Sequence, residues 1–230
     1  MFFKRIHSYS HQYLVLFLLS FLYSNVWSQT RNHYEKPITK NKKDNIYILH
    51  DGLYVSASTG IIYGNVFDSY KSYDYIYKGA SSVFDLKIGG AIIKNLILHA
   101  TVIGISNNNP VLVDRNKNTQ NKMGKNYTFN ETMLGVGITY YFMPVNILTS
   151  VSLGAGQFVL YNESSGPQAI MSPRSPSLQI KAGKEWLFYK KWSVGAAVIY
   201  HHTSTSNLID EFFEQISSHR YGILLNASFN

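Results

Sequence analysis

The sequence predicts an all-β chain folded as an eight-stranded antiparallel transmembrane β-barrel with short periplasmic turns and long extracellular loops. Three observations carry that expectation. Apolar residues recur at every second position in eight runs. The connections between the runs are long and short in turn. The face opposite the apolar one is built largely of glycine, serine and alanine. A period of two is the signature of strands, and an even strand number with alternating loop lengths is that of a barrel in lipid.

The segment before the first run reads as an address. Lys4 and Arg5 precede an apolar stretch from Leu14 through Leu22, and Val26-Trp27-Ser28 places small residues at −3 and −1 before Gln29. This is the layout of a secretory signal peptide. An uncleaved anchor needs about 20 apolar residues, and Ser20, Ser24 and Asn25 break the stretch. Residues 1–28 are therefore expected to be removed. Residues 29–52, basic and without apolar period, are expected to form a flexible periplasmic lead-in, and 53–230 the barrel.

The runs follow in order. The first, Leu53–Tyr63, is apolar at odd positions. The second, Ser81–Ala91, sets Phe84, Leu86 and Ile88 against Asp85 and Lys87. The third, Leu96–Ile105, is apolar on both faces, so its sides stay unassigned. The fourth sets Leu134, Val136, Ile138, Tyr140 and Phe142 against Gly135, Gly137 and Thr139. The fifth opposes Ile147, Val151 and Leu153 to Ser150, Ser152, Gly154 and Gly156. The sixth opposes Leu178, Ile180 and Trp186 to Gln179, Lys181 and Glu185. The seventh opposes Trp192, Val194 and Val198 to Ser193 and Gly195, and the eighth Tyr221, Ile223, Leu225 and Phe229 to Arg220, Gly222 and Asn226.

Short turns lie at 93–95, 143–146 and 189–191. Long polar stretches at 64–80, 106–130, 161–177 and 204–218 are expected to be loops, with a short helix around 207–216. Small residues suit the crowded lumen of eight strands, where Asp85, Lys87, Lys181, Glu185 and Arg220 should pair with one another. Tyr63, Tyr140, Tyr141, Phe142, Phe158, Trp186, Phe188, Trp192, Tyr200, Tyr221 and Phe229 are expected in interfacial girdles.

Composition narrows the chemistry. The chain has no cysteine, which excludes disulfide scaffolds, thiolate zinc sites and cysteine nucleophiles. A net charge of +8, from 21 basic against 13 acidic residues, would suit nucleic acid. An exported chain without a nucleic-acid-binding motif argues against that partner. Gly135-Val-Gly137 and Gly154-Ala-Gly156 lie inside strands and are not phosphate loops. His201 and His202 are adjacent on a strand and face opposite sides, so they do not form a metal pair. No metal or cofactor is expected.

The run Tyr221-Gly-Ile-Leu-Leu-Asn-Ala-Ser-Phe229 resembles the C-terminal signal of outer-membrane proteins, with Asn230 following the aromatic residue. Gly183-Lys-Glu-Trp186 and Trp192-Ser-Val-Gly195 resemble the late strands of small barrels of the OmpX and OmpW type. That resemblance implies a bacterial outer-membrane barrel, acting as a monomer among outer-membrane lipids and lipopolysaccharide. The expected function is a non-enzymatic surface or membrane-structural role, with contacts to ligands or partners through the outer loops. A narrow pore would need a lateral opening.

One motif points to chemistry. His202 and Ser204 lie two apart on one strand face, where a histidine serves as base for a serine nucleophile if an acid fixes its ring. Tyr200-His-His202-Thr-Ser204 is similar to the His-x-Ser-Asn motif of the lipid A 3-O-deacylase family, with Thr205 where that family has asparagine. The resemblance implies His202 as base, Ser204 as nucleophile and Glu214 as orienting acid. Asp210 and Glu211 are neighbouring acids. The form recovered from membranes is expected to start at Gln29, measured as intact mass; a chain that keeps Met1 would mean an anchor.

Overall fold

A computed structural model describes residues 50–124, 126–162, 168–189, 191–209 and 212–230; the expected signal peptide and nearly all of the lead-in lie outside them. The strands are β1 (Leu53–Tyr70), β2 (Tyr73–Ile93), β3 (Leu96–Asn108), β4 (Val111–Asp114), β5 (Thr119–Lys122) and β6 (Tyr127–Phe142). They continue as β7 (Ile147–Asn162), β8 (Gln168–Met171), β9 (Ser175–Tyr189), β10 (Trp192–Ile209) and β11 (Phe212–Phe229). Eight of them, β1, β2, β3, β6, β7, β9, β10 and β11, pair antiparallel in sequence order. The circle closes where β1 pairs with β11 from Val55 opposite Phe229 to Ser69 opposite Gln215. Within the membrane band each barrel strand is paired on both sides, which is what hydrocarbon demands of a sheet.

The outward residues define the membrane. On β11 they are Phe229, Ala227, Leu225, Ile223 and Tyr221, then His219, Ser217 and Gln215. On β6 they are Phe142, Tyr140, Ile138, Val136 and Leu134, then Thr132, Asn130 and Thr128. Five outward positions on a tilted strand make a band about 25 Å tall, the height of a bilayer core. Ile223 is 66% exposed while its inward neighbour Leu224 is fully buried. Large apolar side chains face outward all round the wall and polar ones face in, the inverse of a soluble protein. The chain is a membrane-spanning barrel.

Beyond the band the structure departs from the sequence reading. The stretches expected as loops at 64–80 and 204–218 are mostly strand: β1 and β2 run on as one hairpin, and so do β10 and β11. The helix expected around 207–216 is absent among the described residues, where 207–209 and 212–216 are paired strand; 210–211 lie outside them. Leu208, Phe212 and Phe213 mimic a helical spacing, but backbone pairing to a neighbour satisfies the chain better than an isolated turn of helix. β4 and β5 form a further hairpin on β2, and β8 adds to β7.

β3 now has sides. Ile97, His99, Thr101, Ile103 and Ile105 face the lumen, and Leu98, Ala100 and Val102 face lipid. Both faces are apolar because the lumen has an apolar layer at mid-height, made by Ile62, Val83, Ile103, Met133, Ile199 and Leu224. Polar layers lie on either side of it. Towards the short turns, Lys181 donates to Asp85 at 2.9 Å, and Lys87 donates to Ser150, Ser152 and Gln179. Towards the long hairpins, Arg220 donates to Glu131 at 2.7 Å and to Ser81 at 2.9 Å, with His201 3.2 Å from the same carboxylate. Glu185 instead accepts from Tyr141, Asn226 and Ser228.

The two ends are plugged. Val66, Tyr77, Phe129 and Phe158 cap the lumen on the long-hairpin side. On the short-turn side Tyr54, Ile97, Tyr141 and Leu148 close it. There His50 stacks on Tyr141 at 3.6 Å and bonds Asn146 at 3.0 Å, so the last residues of the expected lead-in belong to the barrel. Tyr141 and Phe158, expected in the girdles, thus point inward: they sit on the parity of Thr139 and Gly156. Gly135 and Gly154 do more than save lumen space. A Cβ on either would collide with the backbone of the other's strand, so β6 and β7 approach there as only glycine permits.

Removing one partner of a buried ion pair strands the other charge, at a cost of about 3–5 kcal/mol. Arg220→Met is expected to lower stability by that much in urea unfolding from lipid vesicles. The double variant Glu131→Leu with Arg220→Met is expected to recover most of it.

Candidate functional site

With the lumen filled, chemistry has two places left: the outer wall where the apolar band ends, and the mouth between the long hairpins. The wall of β10 and β11 holds the residues the sequence singled out. His201, Thr203 and Thr205 face in and are buried, so Tyr200, His202 and Ser204 face out. The register sets His202 opposite His219 and Ser204 opposite Ser217. The two imidazoles stack with centroids 4.5 Å apart, and Tyr200 Oη lies 3.0 Å from His219 Nδ1.

His202 Nδ1 lies 2.6 Å from the Ser218 carbonyl. A carbonyl only accepts, so Nδ1 carries a proton, and in the neutral ring the lone pair is then on Nε2. Glu214 stands elsewhere. It is on the inward parity of β11, opposite Asn207, five positions beyond the His202–His219 pair, and accepts a hydrogen bond from Tyr73 at 2.5 Å. The structure therefore brings His202 and Ser204 onto one face and leaves Glu214 on the other. Asp210 and Glu211 lie outside the described residues. Below the histidines a shallow groove crosses Ile180, Ala182, Val198, Tyr200 and Ile223. His219 was not legible as a neighbour, because pairing it with His202 requires β10 and β11 to continue where a loop was expected.

The mouth gathers acids and tyrosines. Tyr73, Tyr75 and Tyr77 follow one another on the inward parity of β2, with the Tyr73 and Tyr75 rings stacked 4.8 Å apart. Arg115 pairs with Asp74 at 3.3 Å, and Lys71 lies 3.8 Å over the Phe212 ring. Asp68, above the apolar band, is 9% exposed, and its Oδ1 finds no donor among the described residues. Burial, with Glu214 and Asp74 nearby, pushes its carboxyl up to about 7. Among the described residues no cluster of histidine and carboxylate side chains could hold a metal ion.

No family model matches the sequence, and no curated protein is similar to it at a significant level. Several solved structures are similar in fold. Ail, the attachment invasion locus protein of Yersinia pestis, is 13% identical, the match covering 76% of this chain and 99% of that one, with a TM-score of 0.39. Neisserial surface protein A is 13% identical, over 78% and 97%, with a TM-score of 0.47. The outer membrane protein OprG of Pseudomonas aeruginosa is 11% identical, over 79% and 97%, with a TM-score of 0.45. The chain's own strand pairing makes it a closed eight-stranded antiparallel barrel.

The raised Asp68 group makes stability depend on pH. Between its ordinary value of 3.8 and about 7 the folded chain keeps a proton that the unfolded chain has lost. Stability therefore falls as pH rises through that window. Asp68→Asn is expected to match the wild type near pH 4 and to exceed it at pH 8 by about 1–2 kcal/mol after solvent screening. Urea midpoints at both pH values measure it.

Proposed function

We propose that the protein is a bacterial outer-membrane barrel, exported by a cleaved signal peptide, with a non-enzymatic surface or membrane-structural role. The observation that carries this reading is the lumen. Aromatic plugs at both ends and a mid-height apolar layer between two hydrogen-bonded charge layers leave it no path for solutes. What the chain offers to other molecules is its outer wall and its long hairpins.

The hairpins favour contact with ligands or partners. Leu208 and Phe213 pair at the end of β10 and β11 and are well exposed, as are Ile170 and Met171 on β8. Exposed apolar groups beyond the membrane band are what a contact surface presents. Lys94 and Lys191 at the short turns fit the periplasmic side, and lipopolysaccharide would meet the wall at the hairpin side.

A second reading, a lipid A 3-O-deacylase, is favoured by one observation: the Ser218 carbonyl holds His202 in the tautomer whose Nε2 accepts a proton, with Ser204 on the same face. In that reading His202 is the base and Ser204 the nucleophile, and the carbonyl takes the orienting role assigned to Glu214. Two measurements separate the readings. Planar bilayers are expected to show no steady open level, and a reproducible conductance would replace the closed-lumen role with a pore. Mass spectrometry of lipopolysaccharide incubated with the refolded protein is expected to show intact lipid A; loss of an ester-linked chain that Ser204→Ala abolishes would establish the hydrolase.

A further inference from the structure

The wall across from the histidines carries a notch. Two rows of outward residues run side by side over β1, β2, β3 and β6. One is Thr59, Phe84, Gly104 and Thr132, and the next, towards the hairpins, is Ile61, Ser82, Ser106 and Asn130. Gly104 leaves a gap in the first row, and a Cβ built on it would meet nothing within 4 Å. The gap opens into a groove of about 390 Å³ that Tyr161 borders and whose floor is Val83 and Ile105.

The groove spans the change from apolar to polar. Phe84 and the floor belong to the membrane band; Ser82, Ser106, Asn130 and Thr132 begin the polar ring. The side chains of Ser106, Asn130 and Thr132 have no hydrogen-bond partner among the described residues, so their donors and acceptors are open. Among the described residues no lysine, arginine or histidine lines the groove. A phosphate headgroup would find no counter-charge there, whereas a sugar needs neutral hydroxyl and amide partners and an aromatic edge.

We propose that this notch seats the junction between head and chain of an uncharged glycolipid. The start of an acyl chain lies over Gly104 against Phe84, and the first sugar ring meets Ser106, Asn130 and Thr132. The proposal rests on the membrane-barrel reading and deepens it by assigning a lipid class to one part of the wall.

The test is native mass spectrometry of the protein refolded in detergent, with monogalactosyl diacylglycerol and phosphatidylethanolamine of the same acyl chains at equal concentration. The glycolipid is expected to be retained about ten-fold better, as two or three net hydrogen bonds provide. Gly104→Trp fills the gap without a backbone clash and is expected to abolish the preference. Thr132→Val keeps the shape and is expected to reduce it. Equal retention of the two lipids, or a preference that survives Gly104→Trp, overturns the notch while a heat-dependent gel mobility keeps the barrel standing. A sample that migrates identically boiled and unboiled overturns the barrel, and the notch with it.

Discussion

The pairing of β1 with β11 is the contact on which everything else depends. In hydrocarbon an unpaired backbone amide costs several kcal/mol, so the sheet has to close. Closing it with eight strands leaves a lumen only wide enough for side chains. That width explains the small inward residues, the glycines at the β6–β7 approach, and the need for buried charges to meet. Asp85 finds Lys181 and Glu131 finds Arg220 across strands far apart in sequence, because the circle brings those strands to one axis. The charge layers then tie strands together that share no backbone hydrogen bonds.

A full lumen also decides where this protein can meet other molecules. In the closed-lumen reading proposed above, any solute, lipid or partner approaches from outside, along the wall or at the mouth. The wall is not uniform above the membrane band. On β10 and β11 it carries stacked histidines, each held through its Nδ1, one by the Ser218 carbonyl and the other by Tyr200 Oη. On β3 and β6 it carries a gap and open hydroxyls. At the mouth, carboxylates sit among tyrosines, and the buried Oδ1 of Asp68 has no donor among the described residues.

Within the membrane band the sequence was highly legible, because lipid on one side and a narrow lumen on the other impose opposite demands on alternate residues. All eight runs lie within the strands they predicted, with the inward side right wherever one was assigned. Legibility failed where one of the two demands lapses. On β3 the mid-height lumen is apolar, so both faces look alike. Beyond the band the outward face meets polar surroundings, and β1, β2, β10 and β11 continue as strands whose pattern reads as loop. Tyr141 and Phe158 were misplaced because an aromatic ring near a strand end suits an inner plug as well as a girdle. Glu131 escaped notice as Arg220's partner because it borders a stretch read as loop. For the candidate site, the facing of His202 and Ser204 followed from parity alone, whereas His219 and the position of Glu214 depend on register, which only the closed barrel sets.

The continuation of β10 and β11 past the band has a consequence for reach. Each has 18 residues, about 45 Å along the barrel axis at the usual tilt, of which about 20 Å stands clear of the hydrocarbon. A loop of that length would sweep a wide volume and spend entropy on every encounter. A paired ribbon holds its last register pair, Ile209 opposite Phe212, at a fixed height and bearing, like a mast. Its crest is then free to change in sequence, or to accept inserted peptide, without disturbing the pairing beneath.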